Sequence, residues 1–128
     1  METSDTDTII ALNQRLLESI TEGDWPTYSD LSHPSLTAFE PEANGQLVEG
    51  LAFHEYYFKL PKATQPRNST MASPNVRVMG DVAVIAYTRL IQKVGPDNHA
   101  MTVSLNETRV WHRQNNIWRH VHFHRSTY

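Results

Sequence analysis

Arg89, Arg109 and Arg125 each fall in a run whose alternate residues are mostly apolar. The first run is Ala83, Ile85, Tyr87, Arg89 and Ile91. The second is Met101, Val103, Leu105, Glu107, Arg109 and Trp111, and the third is Ile117, Arg119, Val121, Phe123 and Arg125. Residues two apart share one face of a strand, so each run carries a guanidinium among core-type side chains. An unpartnered guanidinium there is costly and needs a carboxylate or a bound anion. Two readings follow. In one, the arginines are neutralised internally by Glu40, Glu42, Glu49 or Glu107. In the other, they converge on a concave pocket and grip a small carboxylate through their forked N–H groups. Both hold if the pocket is filled only part of the time.

A second pattern is His120, His122 and His124, alternating near the end of the chain. Strict alternation points all three the same way, with neighbouring rings about 7 Å apart, and two could reach one metal ion. No carboxylate lies within the run and Trp118 shares its parity. Packing against a helix or a neighbouring subunit is therefore the expectation, with no metal assigned.

These residues must be positioned by regular elements. Ile9, Leu12, Leu16 and Ile20, widened by Ile10 and Leu17, recur at helical spacing and predict a long first helix, capped by Ser4, Thr6 or Asp7 and closed by Gly23. Asp24 with Trp25-Pro26 restarts a short helix to about Ser32, ended by His33-Pro34. Leu36–Phe39 and Leu47–Glu49 read as short strands around Asn44-Gly45. Leu51–Phe58 suits a third helix, and Lys59–Ser69 is a polar connection. Thr70–Met79, Val82–Val94, Ala100–Arg113 and Ile117–Arg125 then read as long strands, with turns at Gly80-Asp81, at Gly95 to Asn98 and at Gln114 to Asn116. Helices followed by an antiparallel meander predict an α+β fold, one curved antiparallel sheet wrapped around a long N-terminal helix.

The 128 residues suit a single domain spanning 1–128. The chain has no cysteine, which removes disulfides and thiolate metal sites. A formal charge of -3 gives no basic field for nucleic acid. No apolar run approaches the roughly 20 residues of a membrane span, and Met1-Glu2-Thr3-Ser4-Asp5 does not read as a leader. The expectation is a cytoplasmic protein without nucleic-acid or membrane partners.

Two long blocks resemble a known family. One is Leu36-Thr37-Ala38-Phe39-Glu40-Pro41-Glu42-Ala43 through Leu47-Val48-Glu49-Gly50 to Phe53-His54 and Tyr57-Phe58. The other is Glu107-Thr108-Arg109-Val110-Trp111-His112-Arg113, continued by Trp118 and Val121-His122-Phe123-His124-Arg125-Ser126. Together with Gly80-Asp81 and Ile85-Ala86-Tyr87-Thr88-Arg89-Leu90, they resemble the association, or hub, domain of calcium/calmodulin-dependent protein kinase II. The resemblance runs from about Ile9 to Ser126. It implies a nuclear transport factor 2-like cone whose copies assemble into two stacked rings, so that the partner is the chain itself or a hub of a related kinase. It also implies a pocket lined by Arg89, Arg109 and Arg125, with His54 beside it, taking small carboxylates and needing no cofactor. Departures are a shorter connection at Lys59–Ser69, Asn75 and Arg77 where histidines are common, and Asn115-Asn116 for an Asp-Gly turn. The chain carries no Gly-rich phosphate loop, His-Arg-Asp or Asp-Phe-Gly motif, so it is not expected to be an enzyme. The same cone also hosts isomerases and dehydratases, which makes a small enzyme using that cavity the alternative.

Overall fold

The first helix, α1 (Asp5–Glu22), begins where Ser4 accepts a hydrogen bond from the Asp7 backbone N–H and ends at Gly23, whose φ of 69° is left-handed. Asp5 and Asp7 in the first turn complement the positive end of the helix dipole. Ile9, Leu16 and Leu17 are buried, as the spacing predicts, and Asn13 is buried with them. A computed structural model describes residues 4–127; Met1, Glu2 and Thr3, part of the segment read as no leader, lie outside it, as does Tyr128.

The second helix, α2 (Trp25–Leu31), is capped by Asp24, which accepts from the Thr27 N–H at 3.2 Å. It buries Tyr28 and Leu31. Strand β1 (Ser32–Phe39) follows at once and runs through Pro34, so the chain is already extended at His33-Pro34. Proline has no N–H for a ladder, and Pro34 falls in an irregular stretch between the paired residues Ser32 and Thr37. A 3₁₀ turn (Pro41–Ala43) and Asn44-Gly45, both with positive φ, lead to β2 (Val48–Glu49), which pairs antiparallel with β1. Helix α3 (Ala52–Phe58) then packs its aromatic side against α2: Phe58 lies 4.9 Å from Tyr28 and 5.2 Å from Trp25, ring centre to ring centre.

The second half is a meander of β3 (Asn68–Met79), β4 (Val82–Val94), β5 (Ala100–Gln114) and β6 (Ile117–Ser126). The sheet order is β2-β1-β6-β5-β4-β3, and α1 packs on β3 and β4. One pairing departs from a wholly antiparallel sheet: β1 lies parallel to β6. Such a pair needs a long crossover, here everything from β2 to β5, and strand-by-strand pattern reading does not reveal it.

Besides that irregular stretch of β1, the antiparallel meander carries two bulges. In β3 the register breaks between Ala72 and Asn75, where Ser73 takes a φ of 52° before Pro74. In β6 the register jumps from Val110↔His122 to Trp111↔His120, leaving Val121 as an extra residue. A bulge exchanges the faces on either side of it. Trp118 and His120 therefore point into the core together with Phe123, while Ile117 is exposed. This overturns two expectations: the parity set Ile117, Arg119, Val121, Phe123, Arg125 is split, and the three histidines do not share a face.

The main core unites Ile9, Leu16, Leu17, Tyr28, Ile85 and Trp111 between α1, α2 and the sheet. Asn13 belongs there because its amide is used: it accepts from Trp111 Nε1 at 3.1 Å, and its Nδ2 faces Met71 Sδ at 3.2 Å. A smaller cluster of Leu36, Ala38, Val48 and Phe123 closes the end that holds the candidate site.

Candidate functional site

The site is organised by Glu107, a buried carboxylate on β5. Its Oε1 accepts from the Tyr87 hydroxyl on β4 and from Arg109 Nη2 at 3.2 Å and Nε at 3.3 Å. Arg89 Nη1 lies 3.5 Å from Oε2, and Arg89 Nε donates to Ser69 Oγ at 2.8 Å. Tyr87 and Glu107 are direct cross-strand partners on β4 and β5, which explains how one carboxylate meets both guanidiniums. Arg109 is only 1% exposed. Its Nε also donates to Tyr87, its Nη1 faces His120 Nε2 at 3.1 Å, and its carbon stands 4.3 Å from the Phe123 ring centre.

The electrostatics follow from these distances. Burial pushes the Glu107 carboxyl up, but Arg109, Arg89 and the Tyr87 hydroxyl together outweigh it and hold it below the usual range. Burial alone would lower Arg109, yet Glu107 reverses that and raises it. Arg89 is lowered instead, because burial exceeds the help it receives from Glu107. The two arginines differ because Arg109 has two N–H groups on the carboxylate within 3.3 Å, whereas Arg89 has one nitrogen at 3.5 Å. Burial also pushes the Tyr28 and Tyr87 hydroxyls up to about 12.

Next to this cluster lies a cavity of about 370 Å³, lined by Tyr28, Glu40, His54, Arg67, Arg109 and Arg125 among others. It sits toward the small end of ligand pockets, which run from about 300 to 1,000 Å³. His54 on α3 is buried and places Nε2 2.9 Å from Glu40 Oε2, at the end of β1. Its Nδ1 is buried without a hydrogen-bond partner among the described residues. Arg125, next to the last residue of strand β6, is paired with Glu42 of the 3₁₀ turn at the cavity rim.

Of the four residues the sequence nominates, Arg109, Arg125 and His54 line this cavity. Arg89 does not: it lies behind Glu107, tied to Ser69. Among the carboxylates offered as partners, Glu107 and Glu42 neutralise arginines, whereas Glu40 turns to His54 and Glu49 is exposed. Sequence reading missed Arg67, which reaches the cavity from the connection before β3. No periodicity marks a loop residue, and only its charge and the nearness of β3 could have drawn notice. It also missed Tyr28, whose helix reads as a short connector.

The histidines divide as the bulge dictates. His120 is fully buried, and burial first, then Arg109, holds it well below its ordinary value. His122 and His124 lie on the other face, where His122 Nδ1 is 2.7 Å from Thr37 Oγ1 and both rings contact Phe39.

A family model described as the calcium/calmodulin dependent protein kinase II association domain matches residues 5–128. The chain belongs to that family. The association domain is 47% identical over 121 residues to the calcium/calmodulin-dependent protein kinase type II alpha chain of Drosophila melanogaster. That match takes in 92% of this chain but only 23% of the fly kinase, so what is shared is the association domain and not a kinase domain. The solved CaMKII hub homology domain of Chlamydomonas reinhardtii superposes with a TM-score of 0.92 at 46% identity, covering 98% of this chain and 99% of the other. An NTF2-like protein from Cytophaga hutchinsonii, 17% identical, shares the fold with a TM-score of 0.82 over 98% of this chain and all of its own. The association domain thus has the α+β, NTF2-like architecture. No helix among the described residues is long and apolar enough to cross a membrane.

Proposed function

We propose that this association domain is a self-assembly module whose copies close into stacked rings, and that its cavity receives a small carboxylate. The observation that carries the assembly reading is the association-domain match along residues 5–128. A repeated head-to-tail contact closes into a ring when its rotation returns on itself, and a two-fold contact stacks one ring on another. Exposed apolar side chains such as Tyr56, Leu60, Met79 and Ile117 supply surface that assembly would cover. Kinase domains joined to such modules would be displayed around the rings, and hubs of related kinases would co-assemble. The chain spans about a quarter of the curated kinases it matches, so that wider role belongs to a longer protein. A cytoplasmic setting accords with the lack of cysteine.

The carboxylate reading is supported by Arg109 and Arg125 in one cavity with Tyr28 and His54. A ligand carboxylate would take the place of Glu42 on Arg125, because that pair is partly exposed and so weakly held. Native mass spectrometry tests the assembly directly. A closed oligomer of many copies is expected, and a stable monomer or simple dimer at micromolar concentration rejects it.

A further inference from the structure

The side of the sheet that faces away from α1 has a composition that contact with open water does not explain. On β4 and β5 the inward positions hold the buried Ala83, Ile85, Arg109 and Trp111. The alternate, outward positions run from Val82 through Ala86 to Leu90 on β4 and from Ser104 through Thr108 to Val110 on β5. None of them is Asp, Glu, Lys or Arg. Ala86 and Thr108, paired across the two strands, are exposed. A charge-free centre with a charged margin is the composition of a protein–protein contact, where charge is depleted from the core and collects at the rim.

That margin is where the histidines stand. Paired residues on neighbouring strands share a side of the sheet. One row therefore runs from Arg77 on β3 through Val84 and Val110 to His122 on β6, Thr37 on β1 and Glu49 on β2. The next row takes Ala86 and Thr108 to His124 and Phe39. On the other side of the first row, His112 of β5 is paired with Arg119 of β6. His122 thus faces uncharged Thr37 from β1 and uncharged Val110 from β5, with His124 and Arg119 along its own strand and His112 on the diagonal. Glu49 is the one carboxylate in these rows, against Arg77 and Arg119. Burial first, then His124, holds the half-buried His122 below its ordinary value.

Resting on the self-assembly reading, we infer that this outer sheet face is a contact between two copies of the chain that protons open, with His122 and His124 as the sensing groups. A two-fold contact needs a surface complementary to itself, and an uncharged centre around Val84 and Val110 meets that need without any matching of charges. In the closed contact both imidazoles are neutral, and His122 Nδ1 stays within 2.7 Å of Thr37 Oγ1. Protonation adds charge to a margin where Arg77 and Arg119 outnumber Glu49, and the two-fold brings in the same added charge from the second copy. Separation returns the rings to water, so the open form takes up protons more readily than the closed one. The contact is therefore complete above about pH 6.5 and weakens as pH falls, by up to about tenfold per pH unit for each proton taken up. The two copies of His122 alone account for up to about a hundredfold per contact and pH unit.

The test measures the mass of the intact chain by light scattering, with circular dichroism alongside, at about pH 7.5 and about pH 5.5. Wild type should fall to about half its mass at the lower pH while keeping its folded spectrum. The double variant His122→Gln with His124→Gln should keep the full mass at both, because glutamine stays neutral and can still bond Thr37. His120→Gln should split as wild type does, since that ring is buried on the other side. Ala86→Lys, and independently Thr108→Lys, should give the half mass already at about pH 7.5 with a folded spectrum. Full mass in both lysine variants overturns the choice of face. Splitting of the double histidine variant at the wild-type pH overturns the sensing role, as does full mass of wild type at the lower pH. Acid unfolding shared by wild type and the double variant, but absent from His120→Gln, assigns the response to His120 and also overturns it. A wild-type monomer at about pH 7.5 defeats the self-assembly reading itself, and the inference with it.

Discussion

Arg109 and His120 meet inside the sheet with Nη1 3.1 Å from Nε2, an arrangement only an uncharged imidazole accepts. A guanidinium can only donate, so Nε2 must be the acceptor. The ring proton then sits on Nδ1, facing Ser32 Oγ at 3.5 Å. His120 therefore joins the buried charge cluster to β1 and reports on its protonation.

The first prediction follows from that link. Burial and Arg109 hold His120 well below 6.5 when folded, so the unfolded chain takes up a proton that the folded chain refuses. Its contribution is complete above about pH 6.5 and is lost as pH falls toward the folded-state value, at up to about 1.4 kcal/mol per pH unit. His122 shifts the same way and shares the window. His120→Gln should remove only the His120 part. Urea unfolding at about pH 7.5 and about pH 5.5 should show a smaller acid loss in the variant; equal losses in both proteins refute the assignment.

Removal of the Glu107 charge should be far more damaging than removal of a surface charge. Glu107→Gln leaves Arg89 and Arg109 buried without their shared counter-charge, and breaking a buried pair in this way costs about 3–5 kcal/mol. Glu55→Gln, whose partner Lys59 is exposed, should change stability by less than about 1 kcal/mol. Denaturant midpoints of the two variants provide the comparison.

The third prediction concerns Trp111 and Asn13. Trp111→Phe keeps most of the apolar volume but deprives the buried Asn13 oxygen of its donor, which should cost about 1–3 kcal/mol. A double-mutant cycle with Asn13→Ala should recover a coupling of at least about 0.5 kcal/mol. A coupling near zero would mean that the bond contributes nothing beyond packing.

Much of the fold is legible in the residues because its long elements are periodic. The stripe of α1 and the alternation in β4 and β5 locate Leu16, Ile85, Tyr87 and Arg109 in the core without coordinates. What alternation cannot carry is a change of phase. Val121 is an ordinary strand-former, and nothing in its type marks it as the extra residue that turns Trp118 and His120 inward. The partnership of β1 with β6 was hidden for a related reason: it joins segments far apart in sequence, and neither contains a signal for the other. Arg89 and Arg109 could be found by parity, but their shared partner depended on three-dimensional register across β4 and β5. Arg67 escaped because a loop side chain obeys no repeat.

The parallel pairing of the first strand with the last has a consequence for the order in which the molecule is made. Ser32 and His120 are 88 positions apart, and Thr37 and His122 are 85 apart. During synthesis α1, α2 and β1 emerge long before β6 exists, and the β1–β2 hairpin must wait with one edge open. Contacts of such long range close late and slow the final step of folding. Glu40 and His54 emerge early, whereas Phe123 and Arg125 emerge with the last strand. The cavity cannot exist in a half-made chain, so a molecule that fits it would recognise only finished copies and would hold them closed against reopening of the β1–β6 seam.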